Sequence, residues 1–299
     1  MTSGSALVVA VHGRHVLLET GWGQRVLGHL RGRRSDAVVG DRVRWSASGD
    51  EAVVEEVQER RNLLHRQDAW RSKSFAANLD AVLVLVAVDP PFGEHALARA
   101  LIAAHSAGVP AWIGLNKVDL PADSARARLA PLAGSGVEVV ELSLKDTAQA
   151  RARLAPRLRG RATLILGPSG AGKSTLVNLL VPQAQAQVGE ISRALRSGRH
   201  TTTATRWYWL GDSPADGALI DSPGFQEFGL HHVAAQDLAH HMPDLRAHLG
   251  SCRFYNCTHR QEPGCALHAA VRDGKLAADR LRLYTELFDE LQAAQGGRG

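Results

Sequence analysis

The segment Gly167-Pro-Ser-Gly-Ala-Gly-Lys-Ser174 has the spacing GxxxxGK[ST], and the chemistry of that spacing is phosphate binding. Its glycines let successive backbone N–H groups turn toward an anion, and a helix opening at the lysine adds the positive end of its dipole. Lys173 has the length to reach β- and γ-phosphates, and the Ser174 hydroxyl is a Mg²⁺ ligand. Gly167, Ser169, Gly170, Ala171, Gly172 and Thr175 complete the expected cradle. Farther on, Asp221-Ser-Pro-Gly224 matches DxxG. Asp221 is expected to hold Mg²⁺ through water, and the Gly224 N–H to meet the γ-phosphate. Thr201, Thr202 and Thr203 stand between the two motifs, where a switch threonine ligates Mg²⁺. Thr202 and Thr203 are the favoured members, with Thr203 assigned to the ion.

A phosphate cradle does not choose the base. Asn116-Lys117-Val118-Asp119 matches NKxD, and Asp119 can accept from N1–H and the 2-amino group of guanine. Adenine lacks both donors, so a site built on that carboxylate discriminates by about 10⁴-fold or more. Lys117 can lay its methylenes along the purine, and Asn116 can tie this loop to the phosphate loop. Ser143-Leu144-Lys145 resembles the short S-A-K element that lies near the base in such sites.

The three cysteines fall in one stretch, Cys252-x₄-Cys257-x-His259-x₅-Cys265. Three cysteines and one histidine form a closed tetrahedral donor set, which is the pattern of one structural Zn²⁺ with no open coordination position. His268 is a spare ligand; spacing favours His259. A disulfide framework is excluded by the small and odd number of cysteines.

The order of the motifs is itself informative. Ras-like GTPases run phosphate loop, switch threonine, DxxG, NKxD, S-A-K. Here NKxD and SLK precede the phosphate loop, so the order is circularly permuted. A permuted chain keeps its site when the original termini lie close together. It also makes the γ-phosphate-sensing loop lead straight into the C-terminal segment, which nucleotide state can then move. Phe225 follows DxxG where a water-orienting glutamine stands in Ras. Intrinsic hydrolysis should therefore be slow unless another group substitutes. His200, beside the threonines, is the nearest candidate; an ordinary solvent-exposed loop histidine is the alternative reading.

These residues need elements to position them. The chain has 299 residues, of which 44% are hydrophobic and 22% charged, typical of a globular protein of two or three domains. Residues up to about 60 alternate with period two in five short runs, ALVVAV, RHVLLE, QRVLGHL, GDRVRWSA and EAVVEEVQ. Five strands without helices predict a small closed barrel of oligonucleotide-binding type, with an SH3-like barrel as the alternative. AVLVLVAV (81–88), AWIGL (111–115), VEVVELS (137–143), ATLILG (162–167) and ALIDSPG (218–224) then alternate with helical stretches. That pattern predicts a doubly wound α/β domain with its ligand at the strand carboxyl ends. Residues 231–299 read as helical, interrupted by the Cys/His cluster. The longest apolar run is far short of the roughly 18 residues a spanning helix needs. The N-terminus lacks the features of a secretory signal, so a cytoplasmic protein with no membrane partner is expected.

The net charge is +5, with 30 arginines against 5 lysines. Residues 25–44 hold six arginines and two aspartates, and Arg60, Arg61, Arg66, Arg71 and Lys73 follow as a basic connector. Such clusters suit phosphate contacts with nucleic acid, although a solvated surface gives the same pattern. Two other classes fit parts of the chain: an ATP-dependent P-loop enzyme, disfavoured by NKVD, and a non-catalytic RNA-binding clamp.

Over nearly its whole length the chain resembles the circularly permuted, ribosome small-subunit-dependent GTPases of bacteria. The matching residues are AANLD (76–80), NKVDL (116–120), GPSGAGKST (167–175), GRHTTT (198–203), DSPGF (221–225) and CRFYNCTHRQEPGC (252–265). The resemblance implies an N-terminal oligonucleotide-binding barrel over 1–70, a permuted α/β GTPase domain over 71–230 and a helical zinc-binding domain over 231–299. It further implies GTP and GDP as ligands, with Mg²⁺ and Zn²⁺, and action on the 30S subunit and 16S rRNA in late maturation. Hydrolysis stimulated by the particle, release on hydrolysis, a role for His200 and a monomeric state are expected with it.

Overall fold

The computed structural model describes residues 3–30, 36–68, 71–184, 205–222 and 230–296. The first five strands are β1 (Ser3–His12), β2 (His15–Gly21), β3 (Gln24–Leu30), β4 (Arg42–Ser48) and β5 (Glu51–Val57). β1 pairs with both β2 and β4, β4 with β5, and β3 with β5 in parallel. The ring closes in the order 1-2-3-5-4, the oligonucleotide-binding barrel. Alternate residues fill it: Ala6, Val8, Val16, Leu18, Val43, Trp45 and Val54 share one core. β1 departs from simple alternation because its other face is buried too. Leu7, Val9 and Ala10 join the core of the neighbouring α/β layer.

The stretch read from sequence as a basic connector is a hairpin, β6 (Leu63–Asp68) and β7 (Arg71–Ala77). Its residues lack apolar alternation, so pattern reading passes over it. Backbone and amide bonds fix it instead. Asn62 Nδ2 donates to the Leu79 carbonyl at 2.8 Å, and the Leu79 N–H returns to Asn62 Oδ1 at 2.9 Å.

Six strands follow: β8 (Ala81–Ala87), β9 (Ala111–Asn116), β10 (Val139–Glu141), β11 (Ala162–Leu166), β12 (Arg206–Trp209) and β13 (Ala218–Asp221). Their spatial order is 10-9-8-11-13-12. All neighbours are parallel except β12, which runs antiparallel to β13. Helices α1 (Glu94–Ser106), α2 (Asp123–Gly134), α3 (Thr147–Leu158) and α4 (Lys173–Leu180) accompany the sheet. β8 shows why its sequence is apolar throughout. Val82, Val84 and Val86 pack with Leu97 and Ile102 of α1, while Leu83 and Leu85 pack with Leu154 and Leu176 on the opposite face. β12 also meets β1 at Ala10–Arg206, so one sheet runs from the α/β layer into the barrel wall.

The C-terminal segment holds α5 (Leu238–His241), α6 (Pro243–Arg246), α7 (Ala266–Arg272) and α8 (Ala278–Gly296). α8 lays Leu287, Phe288 and Leu291 into the core that contains Leu97 and Leu101 of α1. His95–Glu286 at 2.7 Å and the Arg99–Glu290 pair reinforce that contact. Arg280 forks onto Asp244, both buried, and ties α8 to α6. Among the described residues, no helix is long and apolar enough to cross a membrane.

Candidate functional site

The carboxyl ends of β9, β11 and β13, with the loop after β10, face one cavity of 580 Å³, within the range of about 300–1,000 Å³ for small-molecule sites. β11 ends at Leu166 and the chain turns through 167–172 into α4. Ser169, Gly170, Gly172, Lys173, Ser174 and Thr175 line the cavity. Gly172 caps α4 at φ +102°, a left-handed backbone that a side chain would strain. A Cβ there would also collide with the Asn116 amide, so glycine is required twice over. Lys173 folds back onto its own loop and donates to the carbonyls of Gly167 at 2.5 Å and Pro168 at 3.1 Å. Burial lowers its ammonium pKa, opposed by the charge of Asp221.

β9 ends at Asn116, which is 3% exposed. Its amide donates to the Ala171 carbonyl at 2.8 Å, and its Oδ1 accepts from the Leu144 N–H at 3.2 Å. One side chain thereby joins the NKVD loop, the SLK loop and the phosphate loop. Both backbone groups would be left unpaired without it. Lys117 adopts φ +65° and donates to the Asp89 carbonyl at 2.5 Å. Asp119 lines the cavity with both oxygens occupied: Lys145 Nζ donates to Oδ2 at 2.7 Å and Ser143 Oγ to Oδ1 at 2.9 Å. These bonds, Lys145 first, hold the carboxyl below its ordinary range. SLK therefore meets Asp119 directly, a relation the sequence spacing did not show.

Asp221 ends β13 and lines the far side of the cavity. Burial pushes its carboxyl up, while Lys173 and Arg206 pull it down. A hydroxyl from Ser174 and this carboxylate are hard oxygen donors, the chemistry that suits Mg²⁺. Three cavity residues have a place that the motifs do not assign. Leu144 packs the floor between the base and phosphate loops, Ser222 donates to the Ile165 carbonyl at 2.8 Å, and Arg206 stands opposite Asp221 across the β12–β13 register. A charged residue opening the apolar run RWYW was the available signal for Arg206. His200, Thr201, Thr202, Thr203, Gly224 and Phe225 lie outside the described residues.

The second constellation lies between α6 and α7. The ligand atoms of Cys252, Cys257, His259 and Cys265 all fall within 4.8 Å of one another. Tetrahedral Zn²⁺ with sulfur at about 2.3 Å and nitrogen at about 2.0–2.1 Å sets sulfur–nitrogen edges of about 3.5–3.6 Å. Cys252 Sγ and Cys265 Sγ each lie 3.5 Å from His259 Nδ1. Desolvation, then hydrogen bonding with Cys252 and Cys265, pushes the Cys257 thiol up to about 12. Burial thus disfavours the Cys257 thiolate, and a bound dication would favour it. The donor set and its edges thus fit zinc. His268 is engaged elsewhere, with Nε2 2.8 Å from the Arg260 carbonyl. Outside the donors, Ala266 N–H points at Cys252 Sγ at 3.3 Å, and Tyr284 packs its ring on His259. Glu262 braces the loop. Desolvation would raise its pKa, but bonds from Thr258, Gln261 and its own backbone region draw it down to about 2.

With this geometry in place, likeness to known proteins is informative. Residues 57–231 match the family model described as RsgA GTPase. A protein from Variovorax paradoxus named small ribosomal subunit biogenesis GTPase RsgA is 56% identical over 296 residues, covering 97% of this chain and 93% of the relative. Its namesake from Bordetella pertussis is 50% identical over 300 residues, covering 99% of each. Among solved structures, YjeQ from Thermotoga maritima superposes with a TM-score of 0.72 at 27% identity, covering 97% of this chain and 99% of that one. YloQ, described as a circularly permuted GTPase, gives 0.71 at 26% identity, covering 98% and 96%. The chain has the circularly permuted GTPase fold of those proteins, and it belongs to the RsgA GTPase family.

Proposed function

We propose that this chain is a GTP hydrolase of late 30S ribosomal subunit maturation, which binds the subunit through 16S rRNA and leaves when GTP is cleaved. One observation carries the reading: a single cavity gathers Asp119 and Lys145, with Ser143 bonded to Asp119, and Lys173, Ser174 and Asp221. The names of the Variovorax and Bordetella relatives supply the process, small ribosomal subunit biogenesis.

In this account Asp119, its oxygens fixed by Ser143 and Lys145, accepts from guanine N1–H and the 2-amino group. Lys117 covers the purine, and Asn116 keeps the base and phosphate loops in register. Gly167, Ser169, Gly170, Ala171, Gly172 and Thr175 form the phosphate cradle, and Lys173 leaves its own loop carbonyls for the β- and γ-phosphates. Ser174, Thr202 or Thr203, and Asp221 through water would hold Mg²⁺, which supplies charge neutralisation at those phosphates. The Gly224 N–H senses the γ-phosphate. Phe225 has no atom to orient water, so His200 takes that part and turnover without the particle is slow. Cys252, Cys257, His259 and Cys265 hold one structural Zn²⁺. The working parts are 1–70 as an RNA-binding barrel, 71–230 as the GTPase and 231–299 as the zinc domain, in a cytoplasmic monomer.

Multiple-turnover phosphate release with and without purified 30S subunits tests this. Turnover well above the free rate supports the reading. An unchanged rate over a full subunit titration overturns it.

A further inference from the structure

Resting on the reading that the protein grips ribosomal RNA, we propose that the loop between Cys252 and Cys257 is a stacking site for an unpaired nucleobase, with Tyr255 as platform and Arg253 as phosphate contact. Among the described residues the exposed large apolar side chains are Trp22, Leu120, Phe254 and Tyr255, and the last two stand side by side, 42% and 103% exposed. Trp22, also exposed, is accounted for by its packing on Trp209 at 5.0 Å. The Tyr255 ring is fully open to solvent, so both its faces are free to meet a partner outside the chain.

The loop is stiff. Both ends are donors of the Cys/His cluster, the Arg253 N–H bonds the Gly264 carbonyl at 3.1 Å, and the Cys257 N–H bonds the Phe254 carbonyl at 3.3 Å. A ring presented by a rigid loop loses little entropy on binding. The segment around it is rich in arginine. Residues 246–272 hold Arg246, Arg253, Arg260 and Arg272 against the single acid Glu262, and of these Arg260 is paired with Asp289 at 2.7 Å. Glu262 is consumed by the N–H and O–H groups of Thr258 and the N–H groups of Arg260 and Gln261. Arg253 lies over the Phe254 ring at 5.6 Å. A cavity of 340 Å³ lies at Gly264, the residue whose carbonyl Arg253 bonds, and is lined in part by His248, Arg272 and Lys275; its acid, Asp273, is paired with Lys275. Exposed aromatic faces set among guanidinium groups fit a polyanion whose monomers each carry a flat π-face, which is single-stranded RNA.

The test measures affinity for purified 30S subunits, for a ten-nucleotide single-stranded RNA and for an RNA duplex, with zinc content as the check on folding. Tyr255→Ala should weaken binding to subunits and to the single strand about 5- to 100-fold, as expected for loss of one stacked base. Tyr255→Trp should restore it, and duplex affinity and zinc content should not change. Equal affinities for wild type and Tyr255→Ala overturn the proposal while leaving the ribosomal reading intact. A loss as large on the duplex as on the single strand overturns stacking. A loss on subunits with none on RNA assigns the tip to a ribosomal protein and overturns it as well. Wild-type protein that binds none of the three overturns both readings together.

Discussion

The nucleotide cavity and the Cys/His cluster are built in opposite ways. The cavity gathers residues from Asn116 to Ser222, brought together by the ends of parallel strands whose both faces are packed with apolar side chains. The cluster gathers its four donors from Cys252 to Cys265. Within that segment only Cys265 is a buried apolar residue; Leu267 and Ala270 follow it in α7. The frame of the first site rests on strand packing; on the proposed reading the frame of the second rests on its zinc ion. Ligand removal should therefore have different consequences at the two places.

The largest effect is expected at the cluster. Structural Zn²⁺ contributes about 10–16 kcal/mol in small zinc-binding peptides. Chelation, or Cys257→Ser, should unfold the segment around 251–265, read as rapid proteolysis there, while GDP affinity stays within about threefold because α8 keeps its apolar contacts with α1. Proteolysis confined to its wild-type rate after zinc loss would break the comparison. Next comes the phosphate loop. Lys173→Ala removes charge-assisted bonds to phosphate, so GTP and GDP affinity should fall about 100-fold with no change in melting temperature beyond about 3 °C. Calorimetric titration and a thermal scan measure both. Smaller still is Asn116→Ala. It leaves the Ala171 carbonyl and the Leu144 N–H without their partner, a cost of about 1–3 kcal/mol. A roughly 10-fold loss of nucleotide affinity together with lower stability is the expected result. Lost affinity at full stability would show that Asn116 acts on ligand rather than on the frame.

What was legible in the sequence follows the same division. Contiguous motifs could be read because backbone and side chain act together within a few residues: GPSGAGKS, NKVD and the Cys/His spacing all need only local chain. The barrel was legible from alternation, which follows from one filled face. The β6–β7 hairpin was not, since Leu63 and Leu64 give way to polar residues and its order rests on backbone pairing and the Asn62–Leu79 exchange. The position of Arg206 was equally hidden. It depends on the antiparallel register of β12 with β13 and on the bridge to Ala10, neither of which any local pattern encodes. Likewise, Ser143 and Lys145 were found as a loose motif, but their grip on Asp119 comes from β9 and β10 lying side by side.

The central claim is that two stretches in permuted order form one guanine-reading nucleotide site, and Asp119 tests it most directly. Competition for bound fluorescent GDP should show GTP displacing it and ATP failing by about 10⁴-fold or more in the wild type. Asp119→Asn should lose GTP affinity by about 10²-fold or more and gain affinity for xanthosine triphosphate, whose 2-carbonyl accepts the new amide N–H. Wild-type protein that binds ATP as well as GTP, or an Asp119→Asn variant with unaltered base preference, would contradict the account.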